Sequence, residues 1–250
     1  MITTGNTILI TGGGSGIGQA LAAAFHAAGN QVIITGRREA PLAHTIAAHP
    51  GMIYRLLDIA DAQAIKSFAA EITGTYPALN VVINNAGIML AEDLKAEPFD
   101  LDKAEDTITT NLLGPIRLTA ALLPHLRQQA KASIVTVSSG LAFVPLSATP
   151  TYSATKAAIH SYSQSLRAQL RDTSVEVLEL VPPAVATDLM PGHRDNPNSM
   201  PLADYITESM SLFAAPPASG EINVERVKFL RFAEANGQHD AVFKRLNGAH

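Results

Sequence analysis

The chain has 250 residues, 47% apolar and 16% charged, so it is long and apolar enough to bury a full core. Its formal net charge is −4 with Lys and Arg scattered, which excludes the concentrated basic patch that nucleic acid binding requires. Cysteine is absent, so disulfides, thiolate metal sites and cysteine nucleophiles are excluded.

No apolar run approaches the ~18 residues of a membrane span, so no membrane partner is expected. The opening MITTGNTILI runs straight into a strand without a leader pattern, so the cytoplasm is the expected compartment. The histidines are dispersed and form no HExxH pair, so no metal is expected.

In chain order, TILIT over 7–11 reads as a first strand and is followed by the glycine cluster GGGSGIG. QALAAAFHAAG reads as a helix stopped by Gly29. QVIITG is a second strand, EAPLAHTIAAH a weak helix and MIYRLLD a third strand. DAQAIKSFAAEIT has helical apolar spacing with Asp61 as its cap. LNVVINNAG is a fourth strand ending in a polar turn, and 103–129 is helical with Pro115 as a kink or boundary. ASIVTVSS is a fifth strand, 151–172 a helix and SVEVLELV a sixth strand. Beyond Thr187 a proline-rich loop leads to a short helix over 202–213. A short strand at EIN and terminal helices over about 224–247 complete the chain.

Strands and helices alternate, and the strands are continuous apolar runs, as in a parallel sheet covered on both faces. A TIM barrel also alternates, but the glycine turn after the first strand and the shortage of βα units count against it. The expected architecture is a single-domain doubly wound Rossmann fold over 1–250. Its sheet is mostly parallel, with helices on both faces and ligands at the strands' carboxyl ends.

Gly12, Gly16 and Gly18, with Ser15 and Ile17 between them, do not satisfy the GxGxxG spacing. They nevertheless follow a strand and open a helix, where a dinucleotide pyrophosphate meets free N–H groups. The alternative is an ordinary tight turn. The second strand ends in Gly36, Arg37 and Arg38, where NAD enzymes of this architecture place an acid. Guanidinium groups grip a 2′-phosphate, so NADP(H) is the expected cofactor and NAD(H) the alternative.

Asp58, followed by Ile59, ends the third strand and either accepts from an adenine amine or serves a turn or cap. In NNAG, Asn85 can tie neighbouring backbones while Ala86 and Gly87 leave room for a cofactor. Asn111 lies inside a predicted helix, where Asn is poor, so it bonds locally or marks a bend. Ser138 and Ser139 end the fifth strand, and either hydroxyl could polarise a carbonyl.

Tyr152 and Lys156 are an i, i+4 pair sharing one helix face. A phenol working near neutrality needs its pKa lowered by about three units, roughly 4 kcal/mol. An ammonium ~4.5 Å away at an effective dielectric of ~20 supplies about 3.7 kcal/mol. One well-placed lysine could therefore supply most of the shift and lower the Tyr152 pKa, the alternative being an ordinary surface pair.

TGGGSGIG, NNAG, Asn111, Ser139 and YSATK, in this order over residues 6 to about 190, resemble the short-chain dehydrogenase/reductase family. The resemblance selects Ser139 over Ser138. It implies catalysis by Asn111, Ser139, Tyr152 and Lys156, with the cofactor held by the glycine loop, Arg37, Arg38, Asp58, Ile59, Asn85, Ala86, Gly87, Pro182, Val185 and Thr187, together with Tyr152 and Lys156. Within the family, NLLGPIRLTAALLPHL, PPAVATDL and the ending ERVKFLRFAEANGQHDAVFKRLN are similar to the branch named after the D-alanyl-lipoteichoic acid operon.

Two departures stand out. Pro182-Pro183 replaces the family's Pro-Gly, which reshapes the pocket entrance. The common last strand ending in VDGG is absent, so a homodimer through the long helices is expected, with a tetramer as the alternative. The segment 188–215 is expected to cover a small carbonyl or alcohol substrate. A non-catalytic dinucleotide-binding regulator and a dehydratase or epimerase on the same fold are the competing readings.

Overall fold

The apolar runs Thr7–Thr11 (β1), Gln31–Gly36 (β2), Ile53–Leu56 (β3), Leu79–Asn84 (β4), Ala132–Val137 (β5), Val175–Val181 (β6) and Glu221–Asn223 (β7) hydrogen-bond into one sheet. A computed structural model describes residues 1–98 and 100–248. Phe99 and the last two positions of the expected 1–250 unit lie outside the described residues. The strand order is β3-β2-β1-β4-β5-β6-β7, and each pairing is parallel rather than mostly so. The order reverses between β1 and β4, which opens a crevice at their carboxyl ends.

Alternate side chains of a strand point to opposite faces, so each strand feeds two cores. Ile8 and Ile10 of β1 pack with Leu21 and Phe25 of Gly16–Ala27 (α1), with Leu42 of Glu39–Ala48 (α2), and with Tyr205 and Phe213 of Leu202–Ala214 (α7). Leu9 faces the other way, toward Ile65 and Ile72 of Ala62–Thr75 (α3), Leu118 of Gly114–Leu126 (α5) and Leu166 of Pro150–Leu170 (α6). Asp61 caps α3 as its sequence position predicts, accepting from Gln63 N and Ala64 N.

The segment read as one helix over 103–129 has three parts. Leu101–Ile108 (α4) and α5 are joined by a single wide π turn, Thr109–Leu113, with Pro115 in the first turn of α5. The terminal helices are likewise divided. A 3₁₀ turn, Glu225–Val227, and the four-residue Lys228–Arg231 (α8) precede Gly237, which adopts a φ of 65°. His239–Asn247 (α9) follows, and Leu230, Ala233 and Val242 pack on Val144 just beyond β5.

Half of the expected covering segment 188–215 is α7, whose Tyr205 and Phe213 have no exposed surface. The Phe213 ring lies 5.7 Å from that of Phe25, which fastens α7 to α1. Phe213→Ala is expected to cost about 3–5 kcal/mol in chemical denaturation, with the slope unchanged.

Candidate active site

The crevice is held by one hydroxyl. Thr11 Oγ1, at the end of β1, accepts from Asn85 N and Ala86 N, both at 3.0 Å, just after β4. Asn85 Nδ2 returns a bond to Thr11 O at 2.9 Å. Asn85 therefore ties two backbones together, as its place in NNAG suggests.

The glycine loop rises from this junction. Gly12 and Gly16 have φ of 69° and 55°, a region that L side chains rarely adopt. At Gly18 a Cβ would stand 2.3 Å from Asn85 Nδ2 and 2.4 Å from Gly12 O, so only glycine lets α1 approach the loop. Ser15, exposed at the head of α1, makes no capping bond with its side chain. The first-turn N–H groups of α1 and the Ser15 hydroxyl are thus uncommitted beside a cradle of glycines, which fits a dinucleotide pyrophosphate. Thr187 closes the other side, its Cβ 3.5 Å from where a Gly16 Cβ would be. Ile17 is half-buried in the same first turn.

Arg37 and Arg38 are exposed after β2, and among the described residues neither forms an ion pair. Asp58 Oδ1 accepts from Ala60 N at 2.9 Å, making the turn that was one of its two readings. Ile59 is buried and leaves no room for a Cβ on Gly114. Pro182 O accepts from Gly140 N at 2.8 Å, which joins the β6 end to the turn after β5. Val185 is buried and bridges to Met200.

The π turn aims Asn111 at the chain after β4. Its Oδ1 accepts from Ile88 N and its Nδ2 donates to Ile88 O, both at 2.8 Å. The bend expected for an Asn in mid-helix is present as the wide turn, but the bonding is not local: the partner, Ile88, is 23 residues away. Asn111 Nδ2 also reaches Thr155 Oγ1 on α6 at 3.4 Å. A Cβ on Gly87 would lie 3.2 Å from Asn111 Oδ1 and 3.8 Å from Lys156 Nζ, so these groups share one small space. Glu92 fixes the start of α6 from outside, accepting from Thr151 N at 3.0 Å and Thr151 Oγ1 at 2.7 Å.

Tyr152 and Lys156 project from α6 into this space, 6% and 5% exposed. Lys156 Nζ donates to Val137 O at 2.7 Å and stands 5.5 Å from the Tyr152 ring centre. Burial pushes the Tyr152 phenol up to about 12, with the Ser139 hydroxyl pulling against it. Burial also brings Lys156 down to about 8, with the Glu179 carboxylate opposing. The expected lowering of the phenol is therefore corrected: taking the phenol out of water raises it, and the Lys156 ammonium is turned to a strand carbonyl. Ser139 Oγ accepts from Leu141 N at 3.1 Å, whereas the buried Ser138 Oγ has no hydrogen-bond partner.

Residues 6–198 match the short chain dehydrogenase profile. The chain belongs to the short-chain dehydrogenase family. As a member it is an oxidoreductase that uses a nicotinamide dinucleotide. It is 43% identical over 249 residues to the Bacillus subtilis (strain 168) protein named "Uncharacterized oxidoreductase DltE", covering 99% of this chain and 98% of that one. A short chain dehydrogenase from Burkholderia cenocepacia J2315, solved in complex with NADP, superposes with a TM-score of 0.83 at 22% identity, covering 98% and 99% of the two chains. A Burkholderia phymatum short chain dehydrogenase/reductase, solved with NAD, superposes with 0.82 at 20% identity, covering 100% and 99%.

Sequence reasoning missed a second set of groups behind the site of this dehydrogenase. His160, Glu179 and Glu221 place donor atoms within 4.8 Å of one another, with Arg231 paired to Glu221. The available signal was a carboxylate, Glu179, in the middle of an apolar strand. Thr11 carried no signal, because its role depends on β4 lying alongside. Thr11→Val strips two N–H groups of their acceptor and is expected to destabilise the fold by about 1–3 kcal/mol in denaturant titration.

Proposed function

We propose that the protein transfers hydride between NADP(H) and a carbonyl/alcohol pair, with Tyr152 as general acid in reduction and general base in oxidation. The observation that carries this reading is the gathering of Tyr152, Lys156, Ser139 and Asn111 at the strand ends, beside a glycine cradle with uncommitted N–H groups. The dinucleotide, when bound, supplies the hydride.

The chain's own residues supply the rest. A phenol held near 12 is fully protonated at neutral pH and is set up to donate to a carbonyl oxygen. Ser139 hydrogen-bonds the same oxygen and stabilises its developing charge. Lys156, as an ammonium, binds the nicotinamide ribose and favours the phenolate left after donation. Asn111 holds the Ile88 backbone and the wide turn in place beside Lys156.

The free, exposed guanidinium groups of Arg37 and Arg38 support a preference for NADP(H), since the two positions directly after β2 are arginines, and the Glu39 carboxylate that follows accepts from the Tyr54 hydroxyl. The loop after Thr187 supports a cover over a small substrate. Asp188 and Arg194 close it with an ion pair, and the Val185–Met200 bridge holds its base.

Tyr152→Phe is expected to lower kcat for NADPH-dependent carbonyl reduction ~10²–10⁴-fold while the protein still binds NADPH. Wild-type turnover by this variant sinks the proton transfer. The reduction rate should be full where Lys156 is charged and fall as pH rises through about 8. Replacing Arg37 and Arg38 by Ala should weaken NADPH binding about 10–100-fold and leave NADH nearly unaffected. NADH binding as tightly as NADPH to the wild type defeats the cofactor assignment.

A further inference from the structure

Glu179 lies in β6 with no exposed surface. A carboxylate taken wholly out of water must be hydrogen-bonded and charge-compensated. His160 supplies the hydrogen bonding, with Nδ1 at 3.0 and 2.9 Å from the two carboxylate oxygens. His160 is also i+4 from Lys156, so both stand on the same face of α6.

That face rests on β5 and β6. Lys156 Nζ bonds Val137 O, and in the strand register Val137 pairs with Leu180 while Thr136 pairs with Glu179. Thr136 points toward α6, where its hydroxyl meets Ser163 Oγ at 2.7 Å. Glu179 shares that direction, one register step from the carbonyl that holds the ammonium.

The remaining charges complete the arrangement. Glu221 on β7 takes 2.6 and 2.8 Å bonds from Arg231 of α8 and a 3.1 Å bond from Asn223. The Arg231 guanidinium lies 4.4 Å over the Phe143 ring, whose edge-on partner is His160 at 4.7 Å. Although His160, Glu179 and Glu221 are metal-ligating types, Arg231 already fills a cation's role there. Arg231 compensates Glu221 directly. Glu179 has no guanidinium of its own in hydrogen-bond contact; beyond the His160 imidazole that bonds it, its field reaches Lys156 on α6 and, more remotely, Arg231. The field of Glu179 favours the charged form of Lys156 and opposes the burial that disfavours it.

We propose that Glu179, anchored by His160, is a positioning residue whose buried charge keeps Lys156 as an ammonium in the active site. This rests on the reading that Lys156 works in its charged form, and it makes the hydride-transfer site depend on a carboxylate outside the four family residues. The carboxylate touches neither substrate nor cofactor in this scheme. It acts through Lys156, while Arg231 makes its direct bonds to Glu221.

The test is a titration of the Lys156 ammonium by ¹⁵N-lysine NMR, with the resonance assigned by its loss in Lys156→Met. In Glu179→Gln the titration should move at least about one pH unit lower, a tenfold loss of proton affinity. The alkaline fall of NADPH-dependent carbonyl reduction should move in the same direction. Glu179→Asp, which keeps the charge but draws it back by one methylene, should give a smaller movement of the same sign and carries the test if Glu179→Gln does not fold. A Lys156 titration unmoved in the folded variant overturns the proposal. The NMR titration is read without turnover, so it stands apart from the Tyr152→Phe assay. A moved titration beside a fully active Tyr152→Phe enzyme overturns the proton-transfer reading and keeps the positioning role.

Discussion

The bond between the Thr11 hydroxyl and the backbone that follows β4 is the constraint on which the site depends. A parallel sheet whose strand order reverses leaves two neighbouring strand ends leading to opposite faces. Their connections must part to make a crevice, and the N–H groups exposed by parting need an acceptor. One threonine oxygen serves two of them, and Asn85 returns the bond. The glycines of the first turn are then obligatory, because α1 is drawn so close that a Cβ on Gly18 would overlap Asn85 and the Gly12 carbonyl. The cradle, the uncapped start of α1 and the approach of Thr187 all follow from that closeness.

On the other side of the crevice, geometry is set by irregular backbone. A regular helix from 101 to 126 would present Asn111 at the ordinary angular spacing of 3.6 residues per turn. The wide turn Thr109–Leu113 adds room and lets the Asn111 amide satisfy both the N–H and the C=O of Ile88. Single wide turns of this kind cost hydrogen-bond geometry and persist where side-chain bonds compensate. Here they clamp the chain leaving β4 against α6, whose first turn is fixed in turn by Glu92. The Tyr152 phenol and the Lys156 ammonium are therefore aimed by contacts from three separate stretches of chain.

Burial then decides the charge states. Desolvation holds the phenol protonated and weakens the ammonium's hold on its proton, so each group is biased toward neutrality. The nearby carboxylate of Glu179 works against this for Lys156. A lysine and a tyrosine placed together in a uniform dielectric would owe most of the shift to their mutual attraction. In the folded chain the loss of water is the larger influence, and the lysine's hydrogen bond to Val137 turns it away from a purely pairwise role.

The sequence by itself determined the alternation of strands and helices, the glycine turn after the first strand, the Asp61 cap and the pairing of Tyr152 with Lys156 on one helix face. These are local properties: periodicity, glycine conformation and helical spacing act over a few residues. It also flagged Asn111 as a poor helix residue that bonds locally or marks a bend, and the bend is what the wide turn supplies. Only the tertiary structure decided that the partner of Asn111 is Ile88, that Thr11 joins two strand ends, that α7 is fixed by Phe213, and that Glu179, His160 and Arg231 gather behind Lys156. Those contacts join residues distant in sequence, 74 apart for Thr11 and Asn85 and 19 for His160 and Glu179. Burial is likewise a property of the assembled layers, so the direction of the Tyr152 and Lys156 pKa shifts could be read only after the strands had paired and the helices had covered them.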